Sequence, residues 1–320
     1  LERHTGTAGE GGRGPGDPSG ELSGAVAALR SGDLLILPTE TVYGLAADAS
    51  NARAVAKIFE AKGRPRFNPL ISHVEDAVAA ERIAVFDEHA RRLAEAFWPG
   101  PLTIVAPHRA GVSDLARAGL DSVAVRVPGH ARARAVLAAF GGPVVAPSAN
   151  RSGRPSPTTF ADAMEETGAF ASASLDGGPC AVGVESTVVS VLGGVVSLLR
   201  PGSVTRAEVE AVVGPLTDTA EGHRSPGRLT RHYAPRAPLR LNAETARDGE
   251  ILLGFGPGVG EARWSLSKTG DLREAAANLF RMLREADRDE PVGIAVAAVP
   301  AEGLGEAIND RLRRAAGFVG

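Results

Sequence analysis

From Leu22 onward, stretches with apolar residues at helical spacing alternate with short apolar runs that have the character of strands. A chain with that alternation must bury its strands against helices, so the pattern confines it to α/β or mixed α+β layers. Leu22, Val26 and Leu29 share one helical face, and Gly32 and Asp33 end that helix before a strand from Leu34 to Leu37. Val55, Ile58 and Phe59 share the face of a second helix, which Gly63 closes because glycine tolerates the left-handed conformation that ends a helix. The run Val123 to Val127 alternates, placing Val123, Val125 and Val127 on one face and Arg126 on the other. Thr187 to Leu192 and Val195 to Leu199 flank Gly193 and Gly194, which predicts a hairpin with a two-residue turn, and Arg200 follows it directly.

At 320 residues the chain is long enough for two domains. Residues 1–20 are rich in Gly and Pro and read as a disordered leader. A first domain spans residues 21–213 and ends with the helix Arg206 to Val213. Gly214 to Pro238 has no hydrophobic period and reads as a linker. In residues 239–320, Glu250 to Phe255 and Val292 to Val299 read as strands around a helix from Asp271 to Glu285, the outline of a small parallel-sheet domain. A net charge of -3 disfavours a protein that coats nucleic acid, so any anion site must be local. The single cysteine, Cys180, excludes an internal disulfide and any CxxC motif, as expected for a reducing cytoplasm. No apolar run is long enough to span a bilayer, so no membrane partner is expected.

Several familiar motifs fail on spacing. Gly254, Gly256 and Gly258 miss the G-x-G-x-x-G pattern, Ser265 to Lys268 matches S-x-x-K without its partner motifs, and there is no Walker A sequence or G-x-S-x-G elbow. The seven histidines form no ligand cluster, so no protein-held metal is expected. What remains is polar residues at strand ends and loops. Lys62 and Arg64 flank a helix terminus, where both can aim at one anion or simply favour the helix dipole. Asn68 and His73 bracket a strand from Leu70 to Ser72. Ser148, Asn150, Ser152 and Ser156 lie in a Gly- and Pro-containing loop that suits phosphates and, equally, any turn. Glu185 and Ser186 stand just before the hairpin, where a turn again explains them.

The combination and order of these phrases are more specific than any one of them. PTETVYGL (Pro38 to Leu45), KGRPRFNPLISH (Lys62 to His73), FWPGPLT, LDSVAVRVP, APSAN with RPSPT, GVEST and LLRPG, followed by SPGRLTRHYAP (Ser225 to Pro235), resemble the YrdC-like family of threonylcarbamoyl-AMP synthases in its long form. The resemblance implies a twisted mixed α/β sheet domain of the YrdC-like kind, then a smaller Rossmann-like parallel-sheet domain. It also implies a nucleotidyltransferase that makes L-threonylcarbamoyladenylate and pyrophosphate from L-threonine, bicarbonate or CO2, and ATP. That product would serve modification of adenosine 37 in tRNA through downstream threonylcarbamoyl transferase proteins, in the cytoplasm, with direct contact to tRNA left open. Mg2+ would arrive with ATP.

Carried over by position, the family pattern puts threonine against Thr41, His73, Arg126, Ala146 and Ser186. It puts ATP against Lys62, Arg64, Asn68, Ser122, Ser148, Asn150, Ser156, Arg200 and Tyr233, with Lys62 and Arg64 as the catalytic cations at the phosphates. The segment Ser225 to Pro235, which holds Tyr233, would fold over the nucleotide. Arg228 and Leu229 stand where the family has Met and Lys, and Asp310 where it tends to have Asn, so contacts made there do not transfer. Two other functions compete: a carbamoyltransferase domain that adenylates carbamate, and a double-stranded RNA module using Arg53, Lys57, Lys62, Arg64 and Arg66.

Overall fold

A computed structural model describes residues 18–65, 67–218, 232–258 and 262–318. The first domain begins α1 (Pro18–Arg30), β1 (Leu35–Leu37), β2 (Gly44–Asp48), α2 (Ala52–Lys62), β3 (Ile71–His73), α3 (Ala77–Ile83), α4 (Glu88–Phe97), β4 (Leu102–Pro107), α5 (Asp114–Arg117) and β5 (Ser122–Arg126). It continues α6 (Ala131–Phe140), β6 (Val144–Val145), α7 (Phe160–Thr167), β7 (Ala173–Ser174), β8 (Thr187–Ser190), β9 (Ser197–Arg200), α8 (Arg206–Val213) and β10 (Thr217–Asp218). The second domain is β11 (Leu239–Arg240), β12 (Glu250–Gly254), β13 (Trp264–Ser265), α9 (Leu272–Arg288), β14 (Gly293–Val296) and α10 (Leu304–Ala315).

The strands of the first domain form one mixed sheet in the order β10-β9-β8-β4-β5-β3-β6-β2-β1-β7. Those of the second form a separate sheet, β11-β14-β12-β13, in which every pairing is parallel. Helix ends follow the chemistry of their residues. Asn51 accepts the backbone N–H groups of Arg53 and Ala54 at the start of α2, and Gly63 closes that helix at φ 58°. Thr205 and Glu208 form a reciprocal capping box on α8.

Three boundaries differ from the sequence reading. Helix α1 starts at Pro18, so its first three residues had been assigned to the leader; residues 1–17 lie outside the described residues. Proline is well suited to a first helical position because its missing N–H has no partner there anyway. The stretch from Gly214 is not element-free: Thr217–Asp218 pairs in parallel with β9, too short for any period to betray it. The hairpin from β8 to β9 is antiparallel as expected, but its turn is longer than two residues and includes a 3-10 turn, Leu192–Gly194, with positive φ at both glycines.

The two domains pack through α9. On one of its faces Arg284 and Arg288, four apart, pair with the acidic face of α7, where Asp162, Glu165 and Glu166 lie, and Asp287 between them lies 3.9 Å from Arg154. Gly183 sits against α9 with φ 78°; a Cβ there would fall 2.4 Å from the Ala277 Cα, so the close approach requires glycine. Val42 and Val184 of the first domain join the apolar cluster of the second, together with Tyr233, Leu279, Phe280 and Leu283. Apolar area there is removed from water by both domains at once.

Candidate active site

Strand register brings distant polar residues onto one face. β3 and β5 pair in parallel with His73 beside Arg126 and Ile71 beside Ala124. Side chains alternate along a strand, so Val123, Val125 and Val127 enter the core while Arg126 and His73 share the opposite face as neighbours. β6 pairs antiparallel with β3, and the chain beyond it brings Ala146, Pro147 and Ser148 alongside Ile71 and Leu70. The loop before β2 supplies Thr39 and Thr41, the entry to β8 supplies Glu185 and Ser186, and the end of β9 supplies Arg200. These line a cleft of about 620 Å³ including its open mouth, with Arg64, His232 and Tyr233 at its walls.

Arg126 is buried, and its guanidinium is held at three points. Nε donates to the Gly100 carbonyl at 3.1 Å, Nη1 to Thr41 Oγ1 at 3.0 Å, and Nη2 to Glu40 Oε1 at 2.6 Å. A guanidinium has five N–H groups, so two remain for a ligand carboxylate. Burial works against the charge of Glu40, but Arg126 and the Gly129 N–H outweigh it and hold the carboxyl below its usual range.

Donor accounting fixes the polarity of Thr41. Thr39 Oγ1 donates to the Val42 carbonyl at 2.6 Å, so in the 2.9 Å contact between the two threonine hydroxyls Thr41 must be the donor. Thr41 therefore offers a ligand only a lone pair, which suits an amine or hydroxyl and opposes a carboxylate. His73 is buried; burial and then the neighbouring Arg126 charge push its pKa down to about 3, so it is neutral in the cleft.

The cations on the other side have different surroundings. Arg200 donates through Nε and Nη2 to the Ser186 carbonyl, at 3.1 and 2.8 Å, and through Nη2 to Ser186 Oγ at 3.1 Å. Arg64 is half-buried; loss of water draws its pKa down to about 10, and its Nε finds no hydrogen-bond partner among the described residues. Both face a site that would gain from an anion. Glu185 is buried between them and the second domain: its Oε1 accepts from Ser156 Oγ and its Oε2 from Arg311 Nε at 2.9 Å. Arg311, fully enclosed on α10, also lies over the Tyr233 ring with 5.6 Å from its guanidinium carbon to the centroid. Tyr233 adopts φ 62° and packs edge-on against His232 at 4.0 Å.

The residues singled out from the sequence separate into three groups. Thr41, His73, Arg126, Ala146 and Ser186 converge on one part of the cleft, and Arg64, Ser148, Arg200 and Tyr233 line the same cleft. Lys62, Asn68, Asn150 and Ser156 are buried behind its wall. Lys62 Nζ donates to the carbonyls of Ser148 and Asn150, and Asn150 Nδ2 donates to those of Arg151 and Arg154 at 2.8 and 2.9 Å. Ser122 stands at the far end of β5 from Arg126, paired with Pro107, four residues or roughly 13 Å along the strand.

Thr39, Glu40, Glu185, His232 and Arg311 were not selected as site residues from the sequence. Each lies inside or beside a quoted phrase except Arg311, whose chain position gives no sign of the cleft. Residues 225–231, including Arg228 and Leu229, lie outside the described residues, as does Arg66. Of the proposed RNA surface, Arg53 is exposed, Lys57 is paired with Asp33 at 2.8 Å and Lys62 is buried. Among the described residues no cluster of His, Cys, Asp or Glu could hold a metal, and no helix is long and apolar enough to cross a membrane.

The fold and cleft define a two-domain α/β protein whose cleft is lined by Arg126 on one side and by Arg64 and Arg200 on the other. Residues 27–202 match a protein family described as "Telomere recombination", and residues 204–317 match "Threonylcarbamoyl-AMP synthase, C-terminal domain". The threonylcarbamoyl-AMP synthase of Bacillus subtilis is 39% identical, covering 93% of each chain. That of Pyrococcus abyssi is 39% identical over 91% of this chain and 92% of its own. The crystal structure of P. abyssi Sua5 complexed with L-threonine superposes with a TM-score of 0.85 at 38% identity, covering 93% of this chain and 94% of that one. The chain belongs to the threonylcarbamoyl-AMP synthase family, in its two-domain form.

Proposed function

We propose that this enzyme joins L-threonine, CO2 or bicarbonate, and ATP into L-threonylcarbamoyladenylate, releasing pyrophosphate, for threonylcarbamoyl modification of tRNA. The observation that carries the reading is the pairing of Arg126 and His73 on adjacent strands, facing a cleft whose other wall holds Arg64 and Arg200. Arg126 takes the threonine carboxylate through its two remaining N–H groups. The Thr41 lone pair faces the amine, and neutral His73 adds no positive charge of its own beside it. The free amine attacks the carbon of CO2 and loses a proton, giving a carbamate. A carbamate oxygen then attacks the α-phosphorus as the bond to pyrophosphate breaks. No side chain need form a covalent bond, so positioning and charge stabilisation supply the rate.

Arg64 and Arg200 are assigned to the phosphates, where charge accumulates on the leaving group. Ser148, with Asn150 and Ser156 behind it, belongs to a loop assigned to the nucleotide, and Lys62 supports that loop through its carbonyls. Mg2+ is assigned to ATP rather than to a protein cage. Residues 214–238 are read as a linker whose end, His232 to Pro235, closes the cleft and excludes water from a mixed anhydride that would otherwise hydrolyse. The cytoplasm is the compartment this role requires, and proteins that transfer the threonylcarbamoyl group to tRNA are the consumers of the product.

The test is pyrophosphate release with each substrate omitted in turn. Release is expected only when threonine, bicarbonate and ATP are all present. ATP turnover without threonine overturns the reading, and salt-dependent binding of duplex RNA without turnover would favour the RNA module instead.

A further inference from the structure

The loop from Ser148 to Pro155 has its carbonyl oxygens turned almost entirely toward protein donors. Those of Ser148 and Asn150 accept from Lys62 Nζ, and that of Ala149 from Thr167 Oγ1 at 2.8 Å. Those of Arg151 and Arg154 accept from Asn150 Nδ2, that of Gly153 from the Ala234 N–H at 2.7 Å, and that of Pro155 from Arg284 Nη2. A loop held in this way keeps its negative ends away from a bound anion. The N–H groups of Ala149, Arg151, Ser152 and Arg154 are taken by protein acceptors, so what the loop presents to the cleft is Ser148. Two of the donors, Ala234 and Arg284, lie beyond the first domain in sequence.

Arg284 does more than join the domains. It is buried on α9, and its Nη1 lies 3.0 Å from Glu166 Oε1 while Nη2 reaches the loop. Glu166, fully enclosed on α7, also accepts the Arg151 N–H at 3.0 Å and ion-pairs with Arg154 at 3.0 Å. Asp287, one turn along α9, accepts the Ala237 N–H at 2.9 Å, tying down the linker where it leaves the cleft. Docking alone would not demand this arrangement, because a buried ion pair contributes little more than a well-packed apolar pair. Arg288, the next residue on the same face, provides the contrast: it pairs with Asp162 and Glu165 across the interface and makes no contact with the loop among its hydrogen bonds.

We propose that the second domain braces the nucleotide loop of the first, with Arg284 as the positioning residue that holds Glu166 and the Pro155 carbonyl together. The inference rests on the assignment of this loop to ATP. It gives the second domain a defined part in the reaction: without α9 the loop loses the Arg284 bond to the Pro155 carbonyl and the Asp287–Arg154 ion pair, and ATP rather than threonine is the substrate affected.

The experiment measures KM for ATP and for threonine in the pyrophosphate assay, with ATP and threonine affinities from calorimetry, for wild type, Arg284→Met and Arg288→Met. Loss of one charge-assisted hydrogen bond predicts an increase of about tenfold in both KM and Kd for ATP in Arg284→Met. Threonine affinity stays within about twofold, and Arg288→Met matches wild type for ATP. An unchanged ATP affinity in folded Arg284→Met overturns the brace, as does an equal loss in Arg288→Met. Because Arg284→Met leaves the buried Glu166 charge to Arg151 and Arg154 alone, the double variant Arg284→Met with Glu166→Gln is measured beside it. Persistence of the ATP defect supports the brace, and return to wild-type affinity overturns it. Calorimetry decides the brace even if wild type releases no pyrophosphate, an outcome that would instead overturn the assigned reaction.

Discussion

Half-buried Arg64 and buried Arg200 on the cleft, and buried Arg284 and Arg311 at the domain interface, are guanidinium groups with different company. At the interface each has a carboxylate: Glu166 for Arg284, and Glu185 and Asp310 for Arg311. On the cleft, the hydrogen bonds of Arg64 and Arg200 among the described residues go to backbone carbonyls and one serine hydroxyl. A buried cation without a counter-charge is costly, and a fold keeps one where a ligand will bring the missing charge. Each interface guanidinium is hydrogen-bonded to a carboxylate in the free protein; among the described residues neither cleft guanidinium is, and a bound anion would supply that partner.

Breaking each set should therefore produce different losses. Arg200→Ala is expected to lower kcat/KM by about 10²- to 10³-fold, the usual effect of removing one donor aimed at developing charge, with thermal stability almost unchanged. A fall in stability with little loss of activity would move Arg200 into the interface class. Arg126→Ala comes next, with an expected loss of about 100-fold in threonine affinity by calorimetry and a smaller change in ATP affinity, since only the carboxylate contact is removed.

Acid then tests the neutral members of the cleft. His73 and His232 are both held down to about 3, by burial first, then by the Arg126 charge for His73 and by Arg64 and Lys62 for His232. The unfolded chain takes up protons below about pH 6.5 while the folded chain does not, so stability falls as pH drops from there toward 3. At pH 5 each histidine should cost about 2 kcal/mol. Thermal unfolding at pH 5 and 7.5 measures this, and His73→Gln should flatten the dependence; an unaltered pH profile in that variant would show that His73 titrates normally. Gly183→Ala is expected to destabilise by about 1 to 3 kcal/mol through the interface, visible as a lower melting temperature. Arg288→Ala, whose side chain is half in solvent, should cost no more than about 1 kcal/mol and leave turnover intact.

How much of this could be read from the chain depended on sequence distance. The position of Arg126 followed from a five-residue alternation, and the end of α2 from a single glycine, because both are local rules. Thr41, His73 and Arg126 were selected from a resemblance, and the strand register that unites them is a property of the folded sheet. Glu185 with Ser156, and Arg284 with Glu166, are separated by 29 and 118 residues, and no period links them. Glu40 was hidden differently: it lies within the most distinctive phrase of the chain, but only the folded structure reveals that its carboxylate orients Arg126.

Lys62 has a consequence for chemistry done on the protein rather than by it. Its amine is enclosed and locked between two carbonyls of the loop, so an amine reagent cannot reach it until that loop departs, although burial, by lowering its pKa, would make it reactive once released. Its acylation rate, followed by peptide mass analysis against exposed Lys268, becomes a clock for loop opening, and saturating ATP should slow that clock while leaving Lys268 unaffected.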